Sequence, residues 1–244
     1  MVLNLDSITI IDDDSETAEV VSDLIGDLGL NLEINLITNG PYDAPEQLIE
    51  LIKQKGGRPG IVCDHRLQHQ GLAAFYGSEL LAKFYNEGIP GVLVTQFSEV
   101  DADTSIREYR KWLPTMIDRE SITSDSLISG LVICQDEING DLLVNRRAHR
   151  TLVNIVKITN EDGQLVADAF IPGWSPRHAV RFPLSSIKDD VRQSIVDAVK
   201  KMGDAYSFAM VNIGAKDSVE LYFDGFEQAV IPGKSPLDSI FNLS

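Results

Sequence analysis

Asp12, Asp13, Asp64 and Thr95 stand where short apolar runs end: SITIID with Asp13 next, then GIVCD, then GVLVT. Carboxylates brought together repel one another and resist ionisation on burial unless a cation neutralises them. Thr95 adds a hydroxyl that can donate and accept. Other chemistries lack their signatures, since no Gly-x-Ser-x-Gly elbow, Walker loop or dinucleotide fingerprint occurs. His65 and His69 are four apart, half of a zinc site on a helix, but they fall in a loop without a Cys or Glu at ligand spacing. A metal role is not favoured for them, tuning of access to Asp64 by either one is the alternative, and Cys63 is read as a buried strand residue.

Apolar runs and helical periods alternate through the first half. Strands are expected at Ser7–Asp12, Leu32–Thr38, Gly60–Asp64, Gly91–Thr95 and, more weakly, Leu113–Ile117. Between them, Asp14 or Ser15 caps a helix whose inner face is Ala18, Val21, Leu24, Ile25 and Leu28. Further helices are expected at Ala44–Lys55, Gly77–Glu87, Asp103–Trp112 and Ser126–Cys134. Near-continuous apolar strands alternating with helices imply a parallel sheet covered on both faces. The expected fold is α/β, a flavodoxin-like, doubly wound, five-stranded parallel sheet. Ligands of such sheets bind outside the carboxyl ends of the strands, so the acids and Thr95 are expected to converge there.

At these residues the first 135 positions resemble the receiver domain of bacterial two-component response regulators, through ITIIDDD, IVCDHRL, GSELL and IPGVLVT. The resemblance implies a phosphoryl group accepted from a histidine kinase or phosphotransfer protein on Asp64. It implies magnesium held by Asp12, Asp13, Asp64 and the carbonyl of Arg66, and a Thr95 hydroxyl that reorients toward the new phosphoryl oxygen. The chain departs from the family pattern in several places. LPTMIDRE offers Asp118 or Arg119 where the family has a lysine, so Arg119 is the candidate cation. Gln96 replaces a small residue after Thr95, and Gln68 replaces a proline. Gln68–Tyr76 looks like an insertion, and Thr115 or Met116 stands near the place of the aromatic switch residue.

The second half changes character. Thr151–Thr159, Gln164–Ile171, Ala179–Leu184, a helix at Asp189–Met202, then Ala205–Ile213 and Val219–Phe226 follow the element order of an OB-like, β-rich α+β domain. Charge divides with it: residues 1–144 hold 9 basic and 25 acidic residues, a net of 9 − 25 = −16, whereas 145–244 hold 12 of each, a net of zero. Such acidity opposes binding of the first part to DNA or an anionic membrane. Arg146, Arg147, His149 and Arg150 form either a phosphate-binding patch, with Trp174, Phe182, Tyr206 or Phe223 as stacking surfaces, or, as favoured, a dock onto the acidic first part. FIPGWSPRH is read as a rigid exposed loop whose Trp174 is a core anchor or a partner-binding knob. Asp168, His178 and Asp224 give no convincing nucleophile–base pair.

The expected organisation is a receiver-like domain at 1–135, a linker at 136–145, a β-rich output or interaction domain at 146–232 and an arm at 233–244. Two cysteines are too few for a disulfide framework. No apolar run reaches the roughly eighteen residues of a membrane span, and the N-terminus has no basic region or cleavage site, so a cytoplasmic location is expected. The function implied is a non-enzymatic response-regulator-like signalling protein that uses magnesium and contacts a protein partner through its second domain, with a homodimer allowed. The alternative is a pseudo-receiver adaptor in a larger assembly, with nucleic acid as a less favoured contact of the barrel.

Overall fold

A computed structural model describes residues 3–96, 99–161 and 163–229. The chain divides into two compact units at Val144/Asn145. The arm expected at 233–244 lies outside the described residues.

The first unit contains β1 (Ser7–Ile11), α1 (Ser15–Gly26), β2 (Glu33–Ile37), α2 (Pro45–Lys55), β3 (Pro59–Asp64), α3 (Gly77–Asn86), β4 (Gly91–Thr95), α4 (Glu99–Asp103), β5 (Met116–Asp118) and α5 (Ser124–Ile138). Its strands form one parallel sheet in the order β2-β1-β3-β4-β5. This is the flavodoxin-like order, in which the strand sequence reverses beside β1 and β3 and opens a crevice at their carboxyl ends. Alternation along the strands serves two cores. Ile11, Ile61, Cys63 and Leu93 pack with α2 and α3 residues such as Ile52 and Phe84. Ile8, Ile10, Val62, Val92 and Val94 pack with Val21, Ile25, Leu127 and Leu131 of α1 and α5. Asp14 caps α1 by accepting from the Glu16 N–H at 3.0 Å. Pro45 opens α2, where its missing N–H costs nothing. Thr123 and Ser126 bond reciprocally and start α5 two residues before the expected Ser126.

Two expected elements differ. The helix placed at Asp103–Trp112 is a short α4 followed by a tighter 3₁₀ turn at Arg107–Trp112. Ile106 N–H closes back on the Asp101 carbonyl at 2.9 Å, and Arg107 is buried against Asp103 at 3.0 Å. The weak fifth strand begins at Met116 instead of Leu113, because Leu113 precedes Pro114 and turns into the core.

The second unit contains β6 (His149–Glu161), β7 (Gln164–Ile171), β8 (Ser175–Pro183), α6 (Asp189–Met202), β9 (Ala205–Val211) and β10 (Phe223–Gln228). Its antiparallel sheet has the order β10-β9-β6-β7-β8. The sheet curls so that its edges meet: Phe182 of β8 lies 4.6 Å from Phe223 and 5.5 Å from Phe226 of β10, ring centre to ring centre. FIPGWSPRH is not a loop throughout, since β8 already begins at Ser175. Trp174 packs against the core and donates from Nε1 to the Ala215 carbonyl at 2.8 Å, which makes it an anchor. The last strand starts at Phe223 instead of Val219, after a short turn at Ser218–Glu220. No helix among the described residues is long and apolar enough to cross a membrane.

Candidate functional site

The parallel ladder sets its carboxyl ends level, with Asp64 beside Val94 and Thr95 beside Asp118. Asp12 and Asp13 follow β1, Asp64 and Thr95 are the last residues of β3 and β4, and Arg119 follows β5. Three carboxylates from two strands thereby meet. Asp12, Asp13 and Asp64 each place an oxygen within 4.8 Å of the others, and all three are buried. Asp13, Asp64, Arg66, Thr95, Gln96 and Arg119 line a cavity of about 420 Å³ above them, together with His69 and Gln70.

Each acid of the cluster has a donor from the chain. Asp12 Oδ1 accepts from the Asp14 N–H at 2.9 Å. Asp13 Oδ2 accepts from the Gln70 N–H at 2.7 Å. Asp64 Oδ2 accepts from the Arg66 N–H at 2.9 Å. The Arg119 guanidinium spans two of the acids, with Nη2 at 2.6 Å from Asp64 Oδ1 and 3.3 Å from Asp12 Oδ2. The cation beside the cluster is therefore Arg119. Asp118 turns away to cap the next turn, accepting from the Glu120 N–H at 3.1 Å.

Electrostatics follow from this packing. Burial pushes the Asp12 carboxyl up to about 7 against the opposing Asp14 N–H bond, with the Asp64 charge adding to the rise. Asp64 is also raised by burial, while the Arg119 charge and the Arg66 and His65 N–H groups hold it down. Burial drives the Cys63 thiol well above its ordinary value, as suits an inert strand residue. Thr95 is buried, and its hydroxyl donates to the Gln96 carbonyl at 3.4 Å.

The donor set fits a divalent cation: three carboxylates within ligand spacing beneath an open cavity lined mostly by polar side chains. Neither histidine joins this cluster. His65 is fully buried, stacks on Tyr76 at 4.8 Å and meets Ser105 Oγ through Nε2 at 2.9 Å, whereas His69 lines the cavity.

Several participants carry no signal in the sequence. Gln70 reaches Asp13 from the Gln68–Tyr76 segment, which is fastened by Leu72 and Phe75 in the core and by Tyr42 N–H on the Leu72 carbonyl at 2.9 Å. Asp101 holds the Arg66 guanidinium at 2.6 Å. Gly77 donates its N–H to the His65 carbonyl at 2.8 Å, and a Cβ there would collide with the Asp64 carbonyl. Its place at the head of GSELL was the one available hint.

The arginine-rich boundary segment is divided, with Arg147, His149 and Arg150 exposed and Arg146 buried. Arg146 is buried over the Tyr222 ring at 4.9 Å, and Arg150 lies over Phe208 and pairs with Glu227 at 3.0 Å. Phe182 and Phe223 are core residues and offer no stacking surface. Asp168 pairs with Arg181 at 3.2 Å, and His178 Nδ1 meets Ser175 Oγ at 2.9 Å.

No family model and no curated protein matches this chain. Solved structures similar to it include the signal receiver domain of an HD domain-containing protein from Pseudomonas fluorescens Pf-5, at 11% identity over 58% of this chain and 94% of that one, TM-score 0.42. A response regulator receiver domain protein from Clostridium thermocellum is 14% identical over 55% and 98%, TM-score 0.42. A CheY-like receiver domain protein from Methanospirillum hungatei JF-1 is 17% identical over 56% and 98%, TM-score 0.41. On the chain's own strand order and crossovers, residues 1–144 carry a receiver-like, flavodoxin-type fold.

Proposed function

We propose that this protein is a response-regulator-like signalling protein whose first unit accepts a phosphoryl group on Asp64. The observation that carries this reading is the meeting of Asp12, Asp13 and Asp64 at the strand ends, beneath an open cavity and beside Arg119. Asp12, Asp13, Asp64 and the carbonyl of Arg66 would hold magnesium. A bound divalent cation would neutralise the carboxylates and the incoming phosphoryl oxygens.

The chain's own groups do the rest. Asp64 is the nucleophile: its carboxylate forms a P–O bond as the P–N bond of a phosphohistidine breaks, and the departing imidazole takes a proton from solvent. Burial raises the Asp64 pKa, and the Arg119 charge opposes that rise and so favours the carboxylate form. Thr95, at the rim of the same cavity, donates its hydroxyl to the new phosphoryl oxygen in exchange for the Gln96 carbonyl. The partners on this reading are a histidine kinase or phosphotransfer protein at the cavity and a protein partner at the second unit, in the cytoplasm. The curled order of that unit supports an OB-like barrel opened between β8 and β10. With Arg146 buried and Arg150 paired, nucleic acid is not the favoured ligand.

Intact mass after incubation with magnesium and acetyl phosphate tests the assignment. One added phosphoryl group is expected on the wild type and none on Asp64→Asn. Equal incorporation in both would remove Asp64 as acceptor.

A second reading, an adaptor built on a degenerate receiver, is favoured by one specific observation. Gln70 N–H and Arg119 already satisfy the acids from within the chain. A switch changes its hydrodynamic size or oligomeric state with beryllofluoride, a phosphoryl mimic, and a scaffold does not.

A further inference from the structure

Three buried carboxylates need positive charge, and this fold supplies some without a metal. Arg119 stands directly after β5, and one of its terminal nitrogens is shared between Asp64 of β3 and Asp12 beyond β1. A planar guanidinium can reach two carboxylates at once and does not lose its proton, unlike a compact ammonium on a flexible stem. It is not a fully satisfied strut, however. Arg119 Nε is buried without a hydrogen-bond partner, and its side chain is 26% exposed along the cavity wall. The guanidinium is thus held chiefly by charge, at two of the three carboxylates that a divalent cation would also use.

We infer that Arg119 is a built-in counter-ion that competes with the divalent cation for the Asp12–Asp64 pair, so that the residue at 119 sets how much cation the site requires. The inference rests on the cation site proposed above and adds an exchange to it. With a cation bound the guanidinium would leave one or both acids, and without one it holds the two contacts seen here. Gln70 N–H on Asp13 is the fixed part of the same arrangement, since it is backbone and its segment is anchored in the core. Arg119 is the movable part, because a long side chain can swing into the cavity. Arginine in place of lysine then has a consequence beyond pairing with a phosphoryl group: it raises the cation threshold of the unmodified protein.

The test is a titration of the full-length protein with Mn²⁺, followed by the electron paramagnetic resonance of the free ion, with Mg²⁺ as competitor. Wild type, Arg119→Gln, Arg119→Lys and Asp13→Asn are compared. Arg119→Gln is expected to bind Mn²⁺ at least about tenfold more tightly than the wild type, Arg119→Lys to fall between them, and Asp13→Asn to lose saturable binding. Equal or weaker binding by Arg119→Gln, with Asp13→Asn still defective, would overturn the competition and leave the cation site standing. No saturable binding by any of the four overturns both. Should Arg119→Gln not fold, Arg119→Lys decides alone, with tighter binding than wild type supporting the competition and unchanged or weaker binding overturning it.

Discussion

His65, next to the candidate acceptor, is fully buried, and burial lowers its pKa to about 4, the nearby Asp101 charge favouring the protonated ring and Arg66 opposing it. The folded state therefore binds the proton less readily than the unfolded chain does, near 6.5. The stability this contributes is complete above pH 6.5 and is lost as pH falls toward 4, a change of about 3 kcal/mol. Asp12 has the opposite sign. Its pKa is raised to about 7, so its contribution is complete below about pH 4 and is lost as pH rises through 7. Urea unfolding of the cation-free protein from about pH 4 to 8 separates the two. Relative to His65→Gln, the wild type should gain stability with rising pH, and relative to Asp12→Asn it should lose it. A flat difference in either series would mean that the group titrates alike in the folded and unfolded chain.

At the scale of elements, the loop after β3 depends on a glycine at the head of α3. Adding a Cβ at Gly77 meets the Asp64 carbonyl and, at 2.8 Å, the Cys63 sulfur, so the backbone that presents Asp64 must move. Gly77→Ala should cost about 3 kcal/mol, the upper end of ordinary overpacking, and should weaken Mn²⁺ binding. Gly26, at the end of α1, meets nothing within 4 Å. Gly26→Ala should gain about 0.5 kcal/mol from reduced unfolded-state freedom and leave binding alone. Chemical denaturation of the pair, with the cation titration, checks both. The same contrast explains what the sequence could disclose. The acids at the ends of β1 and β3 and the threonine at the end of β4 were legible because apolar runs stop there and parallel sheets align such ends. The bond from Gln70 to Asp13 spans fifty-seven positions and is made by a main-chain N–H, which no side-chain pattern encodes. The start of β5 was misplaced because apolarity alone does not distinguish a residue entering a ladder from one, Leu113, that turns into the core before a proline. Arg119 was legible as the candidate cation, but its span across Asp64 and Asp12, with Asp118 turned to cap the next turn, needs the placement of that three-residue strand.

At the scale of the molecule, the two units have separate cores. The cores of the first unit run between its sheet and α1, α2, α3 and α5, and that of the second lies within its own curled sheet and α6. Residues 1–144 should therefore fold alone and keep the acid cluster, which makes coupling between the units measurable. Linkage is reciprocal: if a phosphoryl mimic at Asp64 alters the second unit, that unit must alter the mimic's affinity by the same factor. For an intramolecular switch, beryllofluoride affinity should differ between the full chain and the 1–144 fragment by about fivefold or more, the lower end of ordinary allosteric coupling. Fluorine NMR of the bound species, with Mg²⁺ saturating in both proteins, reads that ratio directly. Equal affinities would show that the modification is not transmitted within the chain, and a signal relayed from Asp64 would then have to pass through an external partner. Saturating cation is essential to the comparison. The net charge of −16 on residues 1–144 attracts divalent ions to the fragment and full chain alike, and a difference in cation occupancy would otherwise imitate coupling.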